Sequence, residues 1–347
     1  MWQTIGQPGV LSLLEHSLSM GSLAHAYLFV GPHHVGKTTL ALDLARALNC
    51  QEDKPPCGEC QSCHRIINGK HADITIIGPN SAKGSRETKL RVEVGIEDIK
   101  ELQRSASLPP YEGNYKVFII DGAEHLSDEA ANCLLKTLEE PPPRVIVLLL
   151  TAEELRLLPT VVSRCQKVEL RPMPSMDIEA LLVEHRGVDS DKAKLLARLS
   201  QGCPGWALRA AVDESYLVQR TQRLSEMLSL LSANWEERFA YAAQQGNDRK
   251  SAEELINLWL VCCRDLMLTK CGSKQAITNI DYTPTLEERA QTLSLLETKD
   301  FINSLQQSLS QISQNANLRL VFETLMLNMP RKERKTGHTM SPAPVIL

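Results

Sequence analysis

The spacing of apolar residues changes character near residue 171, and each part predicts a different kind of structure. Before that point, short apolar runs alternate with segments of helical periodicity. Ala26-Tyr27-Leu28-Phe29-Val30, Ile74-Thr75-Ile76-Ile77, Lys116-Val117-Phe118-Ile119-Ile120-Asp121, the run 145–151 and Val168-Glu169-Leu170 read as strands. Between them lie helical patterns. Val10, Leu11, Leu14 and Leu18 form one, Leu40, Ala41, Leu44, Ala45 and Leu48 a second, and Ile99 and Leu102 mark a third over 97–108. A fourth runs from about Ser127 to Glu140 and stops at Pro141-Pro142-Pro143. Apolar strands alternating with helices predict an α/β domain with a parallel sheet and crossover connections. Residues 80–91 are polar and contain glycine, which predicts a mobile connection.

After Arg171-Pro172-Met173-Pro174 the pattern becomes helical throughout. Ile178, Leu181 and Leu182 share one apolar face, and Ala193, Leu195, Leu196 and Leu199 another. Gly202-Cys203-Pro204-Gly205 then breaks to a helix with Trp206, Leu208 and Ala211. From about Ser215 to Met329 the helical period continues, interrupted near Gly246-Asn247 and Cys271-Gly272-Ser273. Leu255, Leu258, Trp259 and Cys262, and then Ile302, Leu305, Leu309 and Ile312, read as core-facing stripes. The predicted division is 1–171, 172–212 and 213–330, with a disordered tail over 331–347. A chain of 347 residues exceeds one ordinary core, in keeping with that division.

The first strand runs into Gly31-Pro32-His33-His34-Val35-Gly36-Lys37-Thr38, a complete P-loop followed by the second predicted helix. The backbone N–H groups of such a loop wrap phosphate oxygens, and the helix start adds positive potential. Lys37 is placed to reach the β/γ-phosphates and Thr38 to hold Mg²⁺. The apolar run ending in Asp121 has the form of the partner strand that presents a Mg²⁺-binding carboxylate. Candidate contacts to ATP or ADP with Mg²⁺ are therefore Gly31, Gly36, Lys37, Thr38, Thr39, Asp121 and Thr151. Hydrolytic sites of this class usually carry Glu after the Asp, but here Gly122 follows, and Glu124 is expected to point elsewhere on a turn. Without a carboxylate to orient water, bound ATP is expected to persist.

Cys50, Cys57, Cys60 and Cys63 have the spacing C-x₆-C-x₂-C-x₂-C, with Pro55-Pro56 and Gly58 supplying turns between them. That pattern predicts a tetrahedral Zn²⁺ site whose four thiolates close the shell, a structural rather than catalytic arrangement; His64 is an alternative ligand. Six further cysteines are scattered, and Cys262-Cys263 reads as a pair of buried thiols. The formal net charge of −4 argues against strong DNA binding by this chain alone. The longest strongly apolar run is too short for a membrane span, and the N-terminus has no basic signal-peptide region, so a cytoplasmic protein is expected.

Leu134-Leu135-Lys136-Thr137-Leu138-Glu139-Glu140-Pro141-Pro142, the later Ser163-Arg164-Cys165, His25-Ala26-Tyr27-Leu28-Phe29 and the four-cysteine insertion resemble bacterial DNA polymerase III clamp-loader subunits, a family of AAA+ proteins. The resemblance covers the first two thirds well. It implies an AAA+ domain, a small helical lid and a helical collar that assembles into a five-subunit ring. Implied partners are the gamma/tau and delta subunits, with the sliding clamp and primed DNA reached through the ring and no membrane. In this family the SRC arginine projects toward a neighbour's ATP, which makes Arg164 a candidate arginine finger acting in trans. Motor subunits carry Asp-Glu in the acidic strand and Arg in the lid motif. Asp121-Gly122 and Gly205 depart from both marks, although Arg209 is close, so the resemblance points to the rigid, non-motor subunit type. A motor subunit using Glu124 is the alternative.

Overall fold

The computed structural model describes residues 1–78, 93–245 and 248–330. The polar connection at 80–91, the break at Gly246-Asn247 and the tail at 331–347 lie outside the described residues. The chain forms two compact units, Met1–Arg209 and Ala210–Leu347.

The first unit contains α1 (Pro8–Ser19), β1 (Ala26–Val30), α2 (Lys37–Asn49), α3 (Gln61–Ile67), β2 (Ile74–Ile77), α4 (Ile96–Ala106) and β3 (Lys116–Asp121). These are followed by α5 (Asp128–Glu139), β4 (Val145–Thr151), α6 (Pro159–Val162), β5 (Gln166–Glu169), α7 (Ser175–Arg186) and α8 (Ser190–Leu199). Helix α9 (Pro204–Val212) carries the division between the units. The five strands pair in parallel in the order β2-β3-β4-β1-β5.

Strand side chains alternate between two cores, as the period of two requires. Tyr27, Phe29, Val117, Ile119, Ile146, Leu148 and Leu150 pack with Leu14 of α1 and Leu40, Leu44 and Leu48 of α2. Ala26, Leu28, Phe118, Ile120, Val147 and Leu149 pack with Ile99 and Leu102 of α4 and Leu134 and Leu138 of α5. Both faces are covered, which is why the strands read as continuous apolar runs rather than alternating ones. Ser127 caps α5 by accepting from the Ala130 N–H at 3.2 Å, and the prolines after Glu140 end it as expected.

Apolar periodicity gave no sign of how the N-terminus is tied down. Asp43, in the middle of α2, is buried and accepts from Gln3 N–H, Thr4 N–H and the Thr4 hydroxyl at 2.7–2.8 Å, and it pairs with buried Arg46. These bonds hold the first residues against the helix that carries the P-loop lysine.

Among the described residues the second unit's regular structure is helical: α10 (Ser215–Leu230), α11 (Trp235–Gln244), α12 (Arg249–Lys270), α13 (Thr283–Thr292), α14 (Leu295–Ser313) and α15 (Leu318–Asn328). Leu255, Trp259, Cys262, Leu305 and Ile312 are buried as the stripes predict, while Leu258, Ile302 and Leu309 lie partly buried at their edge. Cys262 and Cys263 are buried thiols, and burial pushes Cys262 up to about 12. Arg238 is enclosed and donates to Leu230 O at 3.0 Å, Met329 O at 2.9 Å and Pro330 O at 2.8 Å, satisfying carbonyls at helix C-terminal ends.

Candidate functional site

Three loops leave the same edge of the sheet. Val30 lies beside Thr151, and Asp121 beside Leu150, so the ends of β1, β3 and β4 are neighbours. Ligands of open parallel sheets bind beyond these carboxyl ends. The P-loop turns through His34 at φ 63° and Gly36 at φ 111° into the first turn of α2. Gly31 is needed for close approach, because a Cβ there would sit 2.6 Å from Leu170 O.

Lys37 is buried, and its ammonium group donates to Gly31 O at 2.6 Å and Pro32 O at 2.9 Å. Burial lowers its pKa, opposed first by Glu124 and then by Asp121. The Thr38 hydroxyl stands 3.4 Å from Asp121 Oδ2, so the two residues assigned to one Mg²⁺ meet across the sheet edge. Thr39 is half-buried in the first turn of α2. Thr151 is fully enclosed and its hydroxyl accepts from the Glu153 N–H at 3.0 Å, so this candidate contact already serves its own turn.

Glu124 lies on a turn, as expected, but it is enclosed rather than directed away from the site. It is 8% exposed, its Oε1 accepts from the Ala152 N–H at 3.3 Å, and its Oε2 is enclosed without a hydrogen-bond partner. The reason lies in Gly122, whose φ of 78° and ψ of 52° turn the chain back after β3 into a 3₁₀ turn over Ala123–His125. The turn is held by Gly122 N–H on Leu150 O at 3.1 Å and by Val94 N–H on His125 O at 2.9 Å. A glutamate at 122 would have to adopt the same left-handed backbone at a cost of about 1–2 kcal/mol, so the missing acid cannot simply be restored there. The enclosed, unpartnered carboxylate oxygen beside the P-loop lysine is an acceptor suited to a hydrated cation. Together with Thr38 and Asp121 it makes these residues fit a nucleotide carrying Mg²⁺.

The segment expected to form a lid reaches the P-loop through Gly205. Its N–H donates to His34 O at 3.0 Å, and a Cβ there would lie 2.8 Å from that oxygen. The position where a lid arginine is expected is therefore a close backbone approach that needs glycine, while Arg209 lies in the last turn of α9.

The four cysteines converge at the far end of α2. Cys50 follows its last turn, Cys60 begins α3, and the four Sγ atoms lie within 4.8 Å of one another. Their arrangement can hold a metal ion, and His64 is exposed rather than part of the group. The Cys57 sulfur accepts from the backbone N–H groups of Cys60 and Glu59, which pull its thiol down to about 6. Burial pushes Cys63 up to about 12. A donor set of four sulfurs suits Zn²⁺.

Arg164 follows the short helix α6. Its guanidinium donates to Thr160 O at 2.8 Å, pairs with Glu139 Oε1 at 2.6 Å and reaches the Ser163 hydroxyl oxygen at 3.4 Å, with 35% of the side chain exposed. Two motifs that are distant in sequence, LLKTLEEPP and SRC, thus meet in one ion pair.

With this geometry in hand, residues 6–174 match the family model described as DNA polymerase III, delta subunit. DNA polymerase III subunit delta' of Bacillus subtilis is 27% identical over 92% of this chain and 95% of its own length. Subunit tau of Escherichia coli is 37% identical over 65% of this chain, but the match spans only 35% of tau. A DNA polymerase III gamma subunit-related protein from Thermotoga maritima is similar with a TM-score of 0.49 at 20% identity, covering 92% of this chain and 99% of the other. Parallel sheet, P-loop and acidic strand define a P-loop α/β domain. These similarities support a clamp-loader subunit of DNA polymerase III of the delta' type.

Proposed function

We propose that this chain is a ring-assembling clamp-loader subunit that holds nucleotide without hydrolysing it. The observation that carries this reading is the end of β3. An intact P-loop with Lys37 and Thr38 faces Asp121, but Gly122, in a left-handed conformation, stands where a water-polarising glutamate belongs. ATP or ADP with Mg²⁺ would be held by Gly31, Gly36, Lys37, Thr38 and Thr39, with Asp121 and Thr151 at the ends of the neighbouring strands. Mg²⁺ supplies charge neutralisation of the phosphates when bound. Lys37 exchanges its carbonyl partners for phosphate oxygens, and the left-handed turn at Gly36 aims backbone N–H groups at the same place.

Zn²⁺ on Cys50, Cys57, Cys60 and Cys63 fixes the loop between α2 and α3. Residues 172–212 serve as a lid and 213–330 as the collar that enters the ring. Arg164 completes the ATP site of an adjoining gamma/tau subunit in trans, and the ring brings the chain to delta, the sliding clamp and primed DNA in the cytoplasm. Among the described residues no helix is long and apolar enough to cross a membrane.

A second reading, an ATPase motor subunit, draws on the buried Glu124. It fits less well, because Gly122 stands where a motor subunit's water-polarising acid is expected and Gly205 where its lid arginine is expected. Co-expression with gamma/tau and delta tests the assignment. The chain is expected to co-purify in a ring at defined stoichiometry. Its absence from a ring that gamma/tau and delta form without it contradicts the proposal.

A further inference from the structure

Glu124 has so far been named only as an acceptor suited to a hydrated cation and as the acid of the motor reading; among the described residues it is the carboxylate with an enclosed, unpartnered oxygen. A buried carboxylate normally has its oxygens satisfied, and an enclosed, unpaired one carries a desolvation penalty. One oxygen of Glu124 is held by the Ala152 N–H at the end of β4, and the other has no partner. Ala152 follows Thr151 directly and Glu124 follows Asp121 by three residues, so the carboxylate hangs over the same sheet edge from two adjacent strands. It is the foremost carboxylate acting on Lys37, ahead of Asp121. It is also the foremost one opposing the effects of burial and of Lys37 on His33.

The charges in this pocket then decide what can enter. With the site empty, Lys37 offsets Glu124 and Asp121. A nucleotide phosphate chain draws Lys37 to itself and adds two or more negative charges beside two carboxylates, in surroundings of low dielectric. A divalent cation brought with the nucleotide neutralises both carboxylates, and a water in its shell can donate to the unpartnered oxygen.

We propose that Glu124 makes nucleotide binding by this chain conditional on Mg²⁺: it repels metal-free nucleotide and accepts from the hydrated cation of the metal-bound form. The assignment rests on the nucleotide reading of the P-loop. Gly122 is what permits it, since its left-handed turn brings Glu124 rather than residue 122 over the pocket.

The test is the affinity of the purified full chain for a fluorescent ADP, measured with Mg²⁺ and with EDTA, in wild type, Glu124→Gln and Glu124→Ala. Wild type is expected to bind far more tightly with Mg²⁺. In both variants that ratio is expected to fall by about tenfold or more, the scale of one charged hydrogen bond, through stronger metal-free binding as well as weaker metal-bound binding. Zinc content and thermal midpoint of the variants report that they are folded. A wild-type chain that binds, with an unchanged Mg²⁺-to-EDTA ratio in folded variants, overturns the role of Glu124 alone. A wild-type chain that binds no nucleotide in Mg²⁺ overturns the P-loop reading and this assignment with it.

Discussion

Arg164→Ala is expected to lower DNA- and clamp-stimulated ATP turnover by the reconstituted ring while leaving folding, zinc content and ring assembly intact. Within the chain the guanidinium makes an ion pair to Glu139 and a bond to Thr160 O, with a third of the side chain exposed. Partly exposed pairs of this kind contribute about 0–1 kcal/mol, so the fold loses little when the pair is removed. The same weakness makes the side chain available to a neighbour, because leaving Glu139 is cheap. Toward a γ-phosphoryl group, an arginine stays charged and forks onto the oxygens, and a finger of this kind is worth ~10³-fold or more in a single site. Other sites in the ring mask part of that loss, so the steady-state fall is expected to be smaller than the single-site effect. Arg164→Lys should recover little, since an ammonium keeps the charge but loses the fork. Steady-state turnover and clamp loading at wild-type rates in a normally assembled ring would reduce Arg164 to a structural residue.

Removing the metal is expected to produce the largest change in stability. Cys60→Ser should abolish stoichiometric zinc in freshly purified, reduced protein. The substitution isolates the metal from the helix cap: the Cys60 side chain accepts from the Cys63 N–H at 3.5 Å, and serine can keep that bond. A metal bound at a thousand times its dissociation constant stabilises by about 4 kcal/mol. For a domain of this size that corresponds to a fall in thermal midpoint of roughly 10 °C. The disturbance should stay local. The cysteines lie at the opposite end of α2 from Lys37, and Asp43 anchors the middle of that helix to Gln3 and Thr4. Nucleotide affinity in Mg²⁺ is therefore expected to survive. Unchanged zinc content in Cys60→Ser, or an unchanged midpoint after chelation, would contradict a structural zinc site.

Much of this architecture was legible from residue order because the relevant signals are local. The P-loop lies between an apolar strand and a helix with a clear apolar face, and the thiol pattern falls within fourteen residues. Both depend on backbone turns that neighbouring residues encode. The enclosure of Glu124 is not legible in the sequence, because it depends on a glycine with positive φ and on an N–H donated from the end of a different strand. Neither appears in the spacing from Asp121. Asp43, Arg46 and Arg238 sit in helices whose apolar periodicity is intact, and periodicity says nothing about which polar residues are enclosed by distant backbone groups. Arg164 and Glu139 were each singled out within separate motifs, but their pairing arises only when α5 and the segment after α6 come together. The glycine in the lid motif marked a missing arginine. Its further role, letting the lid backbone reach His34 O, required the fold.

The central claim is that this chain holds nucleotide without turning it over, and the most direct measurement is ATP turnover by the purified full chain beside its affinity for ATP in Mg²⁺. Lys37→Ala serves as the control, because it removes the ammonium group that would meet the phosphates while leaving Asp121 and Gly122 in place. Wild type is expected to bind nucleotide and release it as ATP, with turnover indistinguishable from the control, and Lys37→Ala is expected to lose binding. Turnover by wild type that Lys37→Ala abolishes would contradict the account and make this chain a motor subunit.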